Sequence, residues 1–143
     1  AKDLRSLQSL EHPTLRELSG IMPVFVVQAH KARRAGLHYD FRLEMNGVLK
    51  SWAFRKEPPA DPGIRRLGIP QVDHEMSYTV FEGEIADGYG AGTVEIWDKG
   101  EYELIQLKPE KKIEFMLKGQ RLKGRYIMVN TDRGWLLFKR KEQ

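Results

Sequence analysis

The sequence predicts a mainly β protein, a single-domain antiparallel β-barrel of about eight or nine strands with one or two short flanking helices. Three observations carry this expectation. Apolar and polar residues alternate with a period of two over much of the chain from Val24 onward. Gly, Asn, Asp and Pro recur between these short runs as turn signals. Helical spacing is scarce. Many short strands joined by tight turns need closure to protect their edges. The 143 residues fit one domain. Residues 1–20 read as an N-terminal arm or short helix, and 24–139 as the barrel core.

The elements follow in order. Leu4, Leu7 and Leu10 recur at three-residue spacing until His12-Pro13 stops the pattern. From Pro23 the period becomes two, and Val24 to His30 reads as a strand. Lys31 to Gly36 is a basic loop. Leu37 to Leu49 is the clearest hairpin, because Asn46-Gly47 favours the positive φ angles of a type I′ turn. Trp52-Ala53-Phe54 continues its return strand. Glu57 to Gly63, with three prolines, is a loop, and Leu67 to Val72 a short strand. Tyr78 to Ile85 and Gly92 to Trp97 read as strands joined by a glycine-rich bend. Glu101 to Leu107, Lys112 to Leu117, Arg125 to Val129 and Trp135 to Lys139 complete the set. In the last of these, Trp135 reads as core rather than as a base-stacking platform.

Composition removes several chemistries. Cysteine is absent, which excludes disulfides, thiolate metal sites and cysteine nucleophiles. No apolar run approaches the ~18 residues of a membrane helix, and no export signal opens the chain. The expectation is a soluble cytoplasmic protein with no membrane partner. The net charge is +4 but unevenly spread. Residues 31–66 hold nine basic and four acidic side chains, 82–103 one basic and seven acidic, and 108–125 seven basic and two acidic. Two cationic segments around an acidic one can form a phosphate-attracting face. A merely solvated surface reads the same way.

The run from Leu37 to Glu44 alternates without a fault. Leu37, Tyr39, Phe41 and Leu43 face one way, and His38, Asp40, Arg42 and Glu44 the other. Residues two apart on one strand face lie roughly 6.5–7 Å apart at Cα. An imidazole and a carboxylate at that separation can converge on one cation, at about 2.0–2.2 Å from each donor. Arg42 beside them can grip a phosphate oxygen. The plain competing reading is a sheet with one wet face. His30 and His74 are the further histidines that could gather there. His38-x-Asp40 with a distal His74 also imitates the facial triad of non-haem iron oxygenases. Those using 2-oxoglutarate need a basic residue after the distal histidine, and Asp73 to Ile85 contains no Lys or Arg. Asp87 to Thr93 is glycine-rich but lacks the Gly-Lys-Ser/Thr ending of a phosphate loop.

Several runs together resemble one family. They are Phe25 to His30, LHYDFRLEMNGVLKSWAF from Leu37, Asp73-His74, FEGEI at 81–85 and YGAGTVEIWDKGEYE at 89–103. They look like the 3′-phosphoesterase domain of bacterial DNA ligase D, which also occurs as free-standing bacterial and archaeal proteins. The resemblance spans about Val24 to Lys139. It implies a β-barrel, manganese-dependent, DNA 3′-end-healing nuclease. Such an enzyme removes a 3′-terminal ribonucleoside to leave a 3′-phosphate, then hydrolyses that phosphate to a 3′-hydroxyl. The chain length fits a stand-alone version acting on a DNA primer-template with a 3′ ribonucleotide or 3′-phosphate, with a separately encoded DNA ligase as a further partner.

By the same resemblance His30, His38 and Asp40 are metal ligands. Arg42 and His74 bind phosphate and stabilise the transition state, and with the ligands they form the catalytic set. Gln28, Lys56, Arg66 and Tyr78 fall on matching positions near the site. The donor set also suits zinc, iron or cobalt. The chain departs from the family pattern in three places. The interval between His30 and His38 is longer, Val72 stands where an acidic residue is common, and Arg16 and Glu17 are the only candidates for the arm's site residues. A non-catalytic nucleic-acid-binding barrel is the alternative from another class.

Overall fold

The computed structural model describes residues 20–141 apart from Tyr89. The expected arm or helix over 1–20, with Arg16 and Glu17, therefore lies almost entirely outside the described residues. Nine strands follow in chain order: β1 (Val24–Ala32), β2 (Gly36–Met45), β3 (Val48–Phe54), β4 (Arg65–His74), β5 (Gly83–Ile85), β6 (Gly92–Lys108), β7 (Lys112–Lys118), β8 (Lys123–Thr131) and β9 (Gly134–Lys139). All pair antiparallel in one sheet of order β1-β2-β3-β4-β9-β8-β7-β6-β5, and β6 also pairs with β1. That last ladder closes eight strands into a ring, the barrel-like closure that the sequence predicts. β5 hangs on the outside of the ring, paired with the start of β6.

The hairpin forms as the turn chemistry dictates. Asn46 (φ 56°) and Gly47 (φ 77°) both take the positive φ of a I′ turn. This fixes the register so that Arg42 lies opposite Ser51 and Asp40 opposite Ala53. The inward residues of the ring make the core. Phe25, Val27, Phe41, Leu43, Phe54, Phe115, Tyr126 and Leu137 are all at most 1% exposed. Phe41 packs against Phe25, Trp52, Phe54 and Phe115 with ring centroids 6.0–6.3 Å apart. Aromatic contacts at this spacing add to the area-proportional burial term. Trp135 is part of this core, edge-on to Trp52. At one end of the ring, buried Pro58 and Pro59 of the 57–63 loop are tied down, because the Tyr126 hydroxyl donates to Pro59 O at 2.7 Å.

Two expectations are corrected. Tyr78 to Ile85 is not a single strand: Met76–Val80 is a 3₁₀ turn, and only Gly83–Ile85 pairs. The carbonyls of Tyr78 and Phe81 are taken by the Gln28 side chain instead of a ladder partner. That turn is the only helical element among the described residues. No helix there is long and apolar enough to cross a membrane. Conversely, the strands expected at Gly92–Trp97 and Glu101–Leu107 are one, β6. Asp98-Lys99-Gly100 looks like a turn but is not one. Gly100 sits opposite Phe25 in the ladder, and a Cβ there would lie 2.3 Å from Lys118 O.

The Asp98 side chain has a different task. It is 4% exposed and accepts the backbone N–H groups of Gln120, Arg121 and Leu122 at 2.8–3.1 Å. It thus pins the β7–β8 turn against β6. Asp98→Ala leaves those donors without their acceptor. We expect a loss of about 2–4 kcal/mol in urea unfolding, with an unchanged strand signature by circular dichroism.

Candidate metal and phosphate site

The site is built on the outer face of β1 and β2. Inward Tyr39, Phe41 and Leu43 anchor β2 in the core, so His38, Asp40 and Arg42 point outward at fixed intervals. His30 and His38 are direct cross-strand partners, and Gln28 lies opposite Asp40. The outward face is nevertheless dry. Gln28 is 0% exposed, Arg42 3%, Asp40 7% and His30 9%. This corrects the reading of one wet face. The segment after β4 folds back across these residues. Gln28 Nε2 holds it there, donating to Tyr78 O at 2.8 Å and Phe81 O at 3.1 Å.

His30, His38 and Asp40 each offer one ligand atom, and these atoms lie within 4.8 Å of one another. His30 Nδ1 is 3.6 Å from Asp40 Oδ2, and His38 Nε2 is 3.4 Å from Asp40 Oδ1. The far nitrogens complete the arrangement. His30 Nε2 meets Gly90 O at 2.7 Å, and His38 Nδ1 faces Gly36 O at 3.4 Å. A proton on each far nitrogen leaves the near lone pair directed at the cluster, the usual second-layer pattern around a ligating histidine. Two imidazoles and one carboxylate are a donor set that holds a divalent transition-metal ion. His74 is outside the cluster, so the His38/Asp40/His74 facial triad is not formed.

Arg42 is the hub beside it. Its Nε donates to Gln28 Oε1 at 2.7 Å, and its Nη1 donates to Ser51 Oγ at 2.9 Å. Nη1 also lies 3.1 Å from His74 Nδ1, and Nη2 lies 3.4 Å from Asp40 Oδ2. The guanidinium carbon sits 4.8 Å over the Tyr78 ring. Tyr78 in turn packs on His74 and Phe81, with centroids 4.7 and 4.8 Å away. Nη2 makes no hydrogen bond within the described residues, and Arg42 lines a cleft of about 260 Å³. His30, His38, Asp40, His74, Tyr78 and Gly90 line the same cleft.

Charges follow from these contacts. Burial works to raise the Asp40 pKa, but the hydrogen bond from His38 and the Arg42 guanidinium together hold it below the usual carboxylate range. The hydrogen bond to Asp40 raises His38 above its ordinary value. Burial lowers His74, and Arg42 lowers it further. His74 Nδ1 stands between opposite demands: Arg42 Nη1, 3.1 Å away, can only donate to it, and Val72 O, also 3.1 Å away, can only accept from it.

Most residues singled out in the sequence thus meet here: Gln28, His30, His38, Asp40, Arg42, His74 and Tyr78. Lys56 and Arg66 do not line this cleft. They line a separate one with Arg55, Arg65, Leu67 and Ile69, and Arg66 Nε donates to Glu57 O at 2.9 Å. Sequence reasoning missed Ser51 and the Gly90 carbonyl. Ser51 was reachable, since a two-residue Asn46-Gly47 loop places it opposite Arg42. Gly90 had no signal, because its role is a backbone oxygen brought in by a bend.

A sequence model of the DNA ligase D 3′-phosphoesterase domain matches residues 28–130. Over 137 residues the chain is 42% identical to a multifunctional non-homologous end joining protein LigD of Mycobacterium bovis, covering 92% of this chain and 18% of that protein. The Pseudomonas aeruginosa protein of the same name is 43% identical over 129 residues, covering 82% and 15%. That of Mycolicibacterium smegmatis is 36% identical over 156 residues, covering 99% and 20%. The chain therefore spans a fifth or less of the length of these relatives.

Metal uptake should follow the geometry. His38→Ala is expected to lose Mn(II) binding by calorimetry, while Arg42→Ala keeps it. Because His38 takes a proton more readily than an ordinary imidazole, a metal must displace that proton. Affinity should be full above the raised His38 pKa and fall below it, by up to about tenfold per pH unit.

Proposed function

The chain belongs to the DNA ligase D 3′-phosphoesterase domain family, and on that premise we propose that it is a metal-dependent hydrolase healing DNA 3′ ends. Its substrate is a primer-template ending in a 3′ ribonucleotide or a 3′-phosphate. It removes the terminal ribonucleoside to leave a 3′-phosphate, and then hydrolyses the 3′-phosphate to a 3′-hydroxyl. One observation carries this reading: two imidazoles and one carboxylate converge within 4.8 Å, directly beside the buried Arg42 guanidinium, whose Nη2 lies 3.4 Å from Asp40 Oδ2. A phosphate ester is the substrate class that needs both.

A divalent cation held by His30, His38 and Asp40, with Mn(II) the proposed ion and cobalt or zinc also matching the donors, supplies Lewis-acid activation and neutralises phosphate charge. The chain's own groups do the rest. Arg42 Nη2 binds a non-bridging phosphoryl oxygen. Its other arms are already committed to Gln28, Ser51 and His74, so little reorganisation is needed as charge builds. His74, its pKa lowered by burial and by Arg42, binds a second phosphoryl oxygen. This favours oxygen binding over proton donation to the leaving group. Gln28 and Tyr78 position Arg42 from its edge and its face. Lys56 and Arg66 contact the nucleic acid from the adjoining cleft. The healed 3′-hydroxyl is what a DNA ligase requires.

The reading is tested on a 5′-labelled primer-template carrying one 3′ ribonucleotide. With Mn(II) the primer should shorten by one nucleoside and then lose its phosphate, and EDTA should stop both steps. His38→Ala and Asp40→Ala should abolish both. Arg42→Ala should lower turnover by at least about 10²-fold with metal still bound. His74→Ala should slow one step more than the other. Persistent binding without product under these conditions would instead identify a non-catalytic nucleic-acid-binding barrel.

A further inference from the structure

Beside the metal cluster the ring is electrically lopsided. Asp40 on β2 lies in one cross-strand row with Ala53 on β3 and Ile69 on β4. Two strand spacings separate Asp40 from Ile69, about 10 Å. Ala53 and Ile69 are walls of the second cleft, which has a volume of about 410 Å³. Its cations are Arg55, Lys56, Arg65 and Arg66. Among the described residues none of them pairs with a carboxylate. Leu67 and Ile69 give it an exposed apolar floor, at 41% and 46% exposure.

A third cleft continues from it. Gly63, Ile64, Arg65, Lys139, Arg140 and Lys141 are among its walls, so Arg65 lines both. Arg65 is held between them by its register opposite Phe138, with its guanidinium carbon 5.6 Å from that ring. All these groups cluster where β3 ends, β4 begins and β9 ends, at one end of the ring. The other flank of the metal cluster is mostly acidic. Glu82, Glu84 and Asp87 lie in and around β5 and Glu95 on β6 is exposed beside them, with Arg33 reaching Ala86 O at 3.2 Å and Lys31 opposite Thr93 as the cations there.

We propose that the linked clefts of Arg55, Lys56, Arg65 and Lys141 hold the phosphodiester backbone of the duplex behind the 3′ end, so that the duplex lies over β3, β4 and β9. This rests on the reading that the metal cleft acts on DNA ends. A polyanion is drawn to unpaired cations and turned away from the acidic β5–β6 flank. The apolar floor of Leu67 and Ile69 suits the sugar rings between phosphates. Arg65 and Lys141 are contacts for the duplex and take no part in the reaction.

The test needs no turnover. Binding of a fluorescent duplex ending in a 3′-hydroxyl is measured in EDTA over a range of salt concentrations. Arg65→Gln/Lys141→Gln should lower the slope of log affinity against log salt by about two. Lys108→Gln/Lys111→Gln, at the opposite end of the ring, should leave it unchanged, with all variants matched by melting temperature. In the 3′-phosphatase assay, Arg65→Gln/Lys141→Gln should raise KM about tenfold with kcat intact. An unchanged slope, or an equal drop in the Lys108/Lys111 pair, overturns the proposal. A single-stranded oligonucleotide showing the same slope change overturns the duplex assignment. Absence of turnover in the unaltered protein, with the slope change present, would sink the enzymatic reading and leave this surface standing.

Discussion

A buried guanidinium must have its hydrogens accounted for, and much of this molecule's outer layer is arranged around that requirement. Arg42 is 3% exposed, and removing its charge from water costs several kcal/mol unless partners replace the water. Gln28, Ser51, His74 and Asp40 are those partners, and the Tyr78 ring covers the face. The same set performs a second task. Gln28 turns its amide nitrogen to the carbonyls of Tyr78 and Phe81, so satisfying Arg42 also clamps the segment that roofs the site. Charge, lid and ligand geometry are one connected network. Buried networks of this kind are rigid when complete and costly when broken.

The ring supplies what the network cannot. From Tyr39 to Met45 β2 is buried on both faces, with Tyr39, Phe41 and Leu43 toward the core and Asp40 and Arg42 under the returning chain. The aromatic core around Phe41 fixes the strand, and the strand's pleat fixes the intervals between His38, Asp40 and Arg42. Placing these groups on strands rather than on a loop limits the motion available to them. Closure through the β1–β6 ladder matters equally, because it holds β1, and with it Gln28 and His30, in register beside β2. At Gly92 that ladder is so tight that a Cβ would fall 2.0 Å from Lys31 O. The same stretch of chain delivers the Gly90 carbonyl to His30.

A second polar cluster shows that burial and charge are used elsewhere for stability alone. Glu114, 5% exposed, accepts from Arg125 and Arg140. Burial would raise its pKa, but those two cations outweigh burial and hold it below the usual value. Its contribution is present above the unfolded carboxylate range and is lost as pH falls through the depressed pKa. No histidine or further carboxylate joins it among the described residues, so it has no donor set for a metal. The difference between the two clusters is residue type. A carboxylate among cations alone makes a strut, and a carboxylate between imidazoles makes a ligand site.

Much of this was legible in the sequence. Alternation from Leu37 to Glu44 assigned inner and outer faces, and Asn46-Gly47 fixed the hairpin register. The absence of cysteine and the run of motifs narrowed the chemistry to imidazole, carboxylate and guanidinium. Local periodicity suffices for these, because a strand's two faces are set by its own pleat. Other features were decided only by the folded chain. Asp98-Lys99-Gly100 has the composition of a turn, yet its ladder with β1 keeps it extended. Tyr78 to Ile85 has the composition of a strand, yet its carbonyls go to Gln28. The supposed wet face became a dry one because a distant segment crosses it. Burial and the partners of backbone groups are properties of what packs opposite, and no residue's own neighbours in sequence can state them.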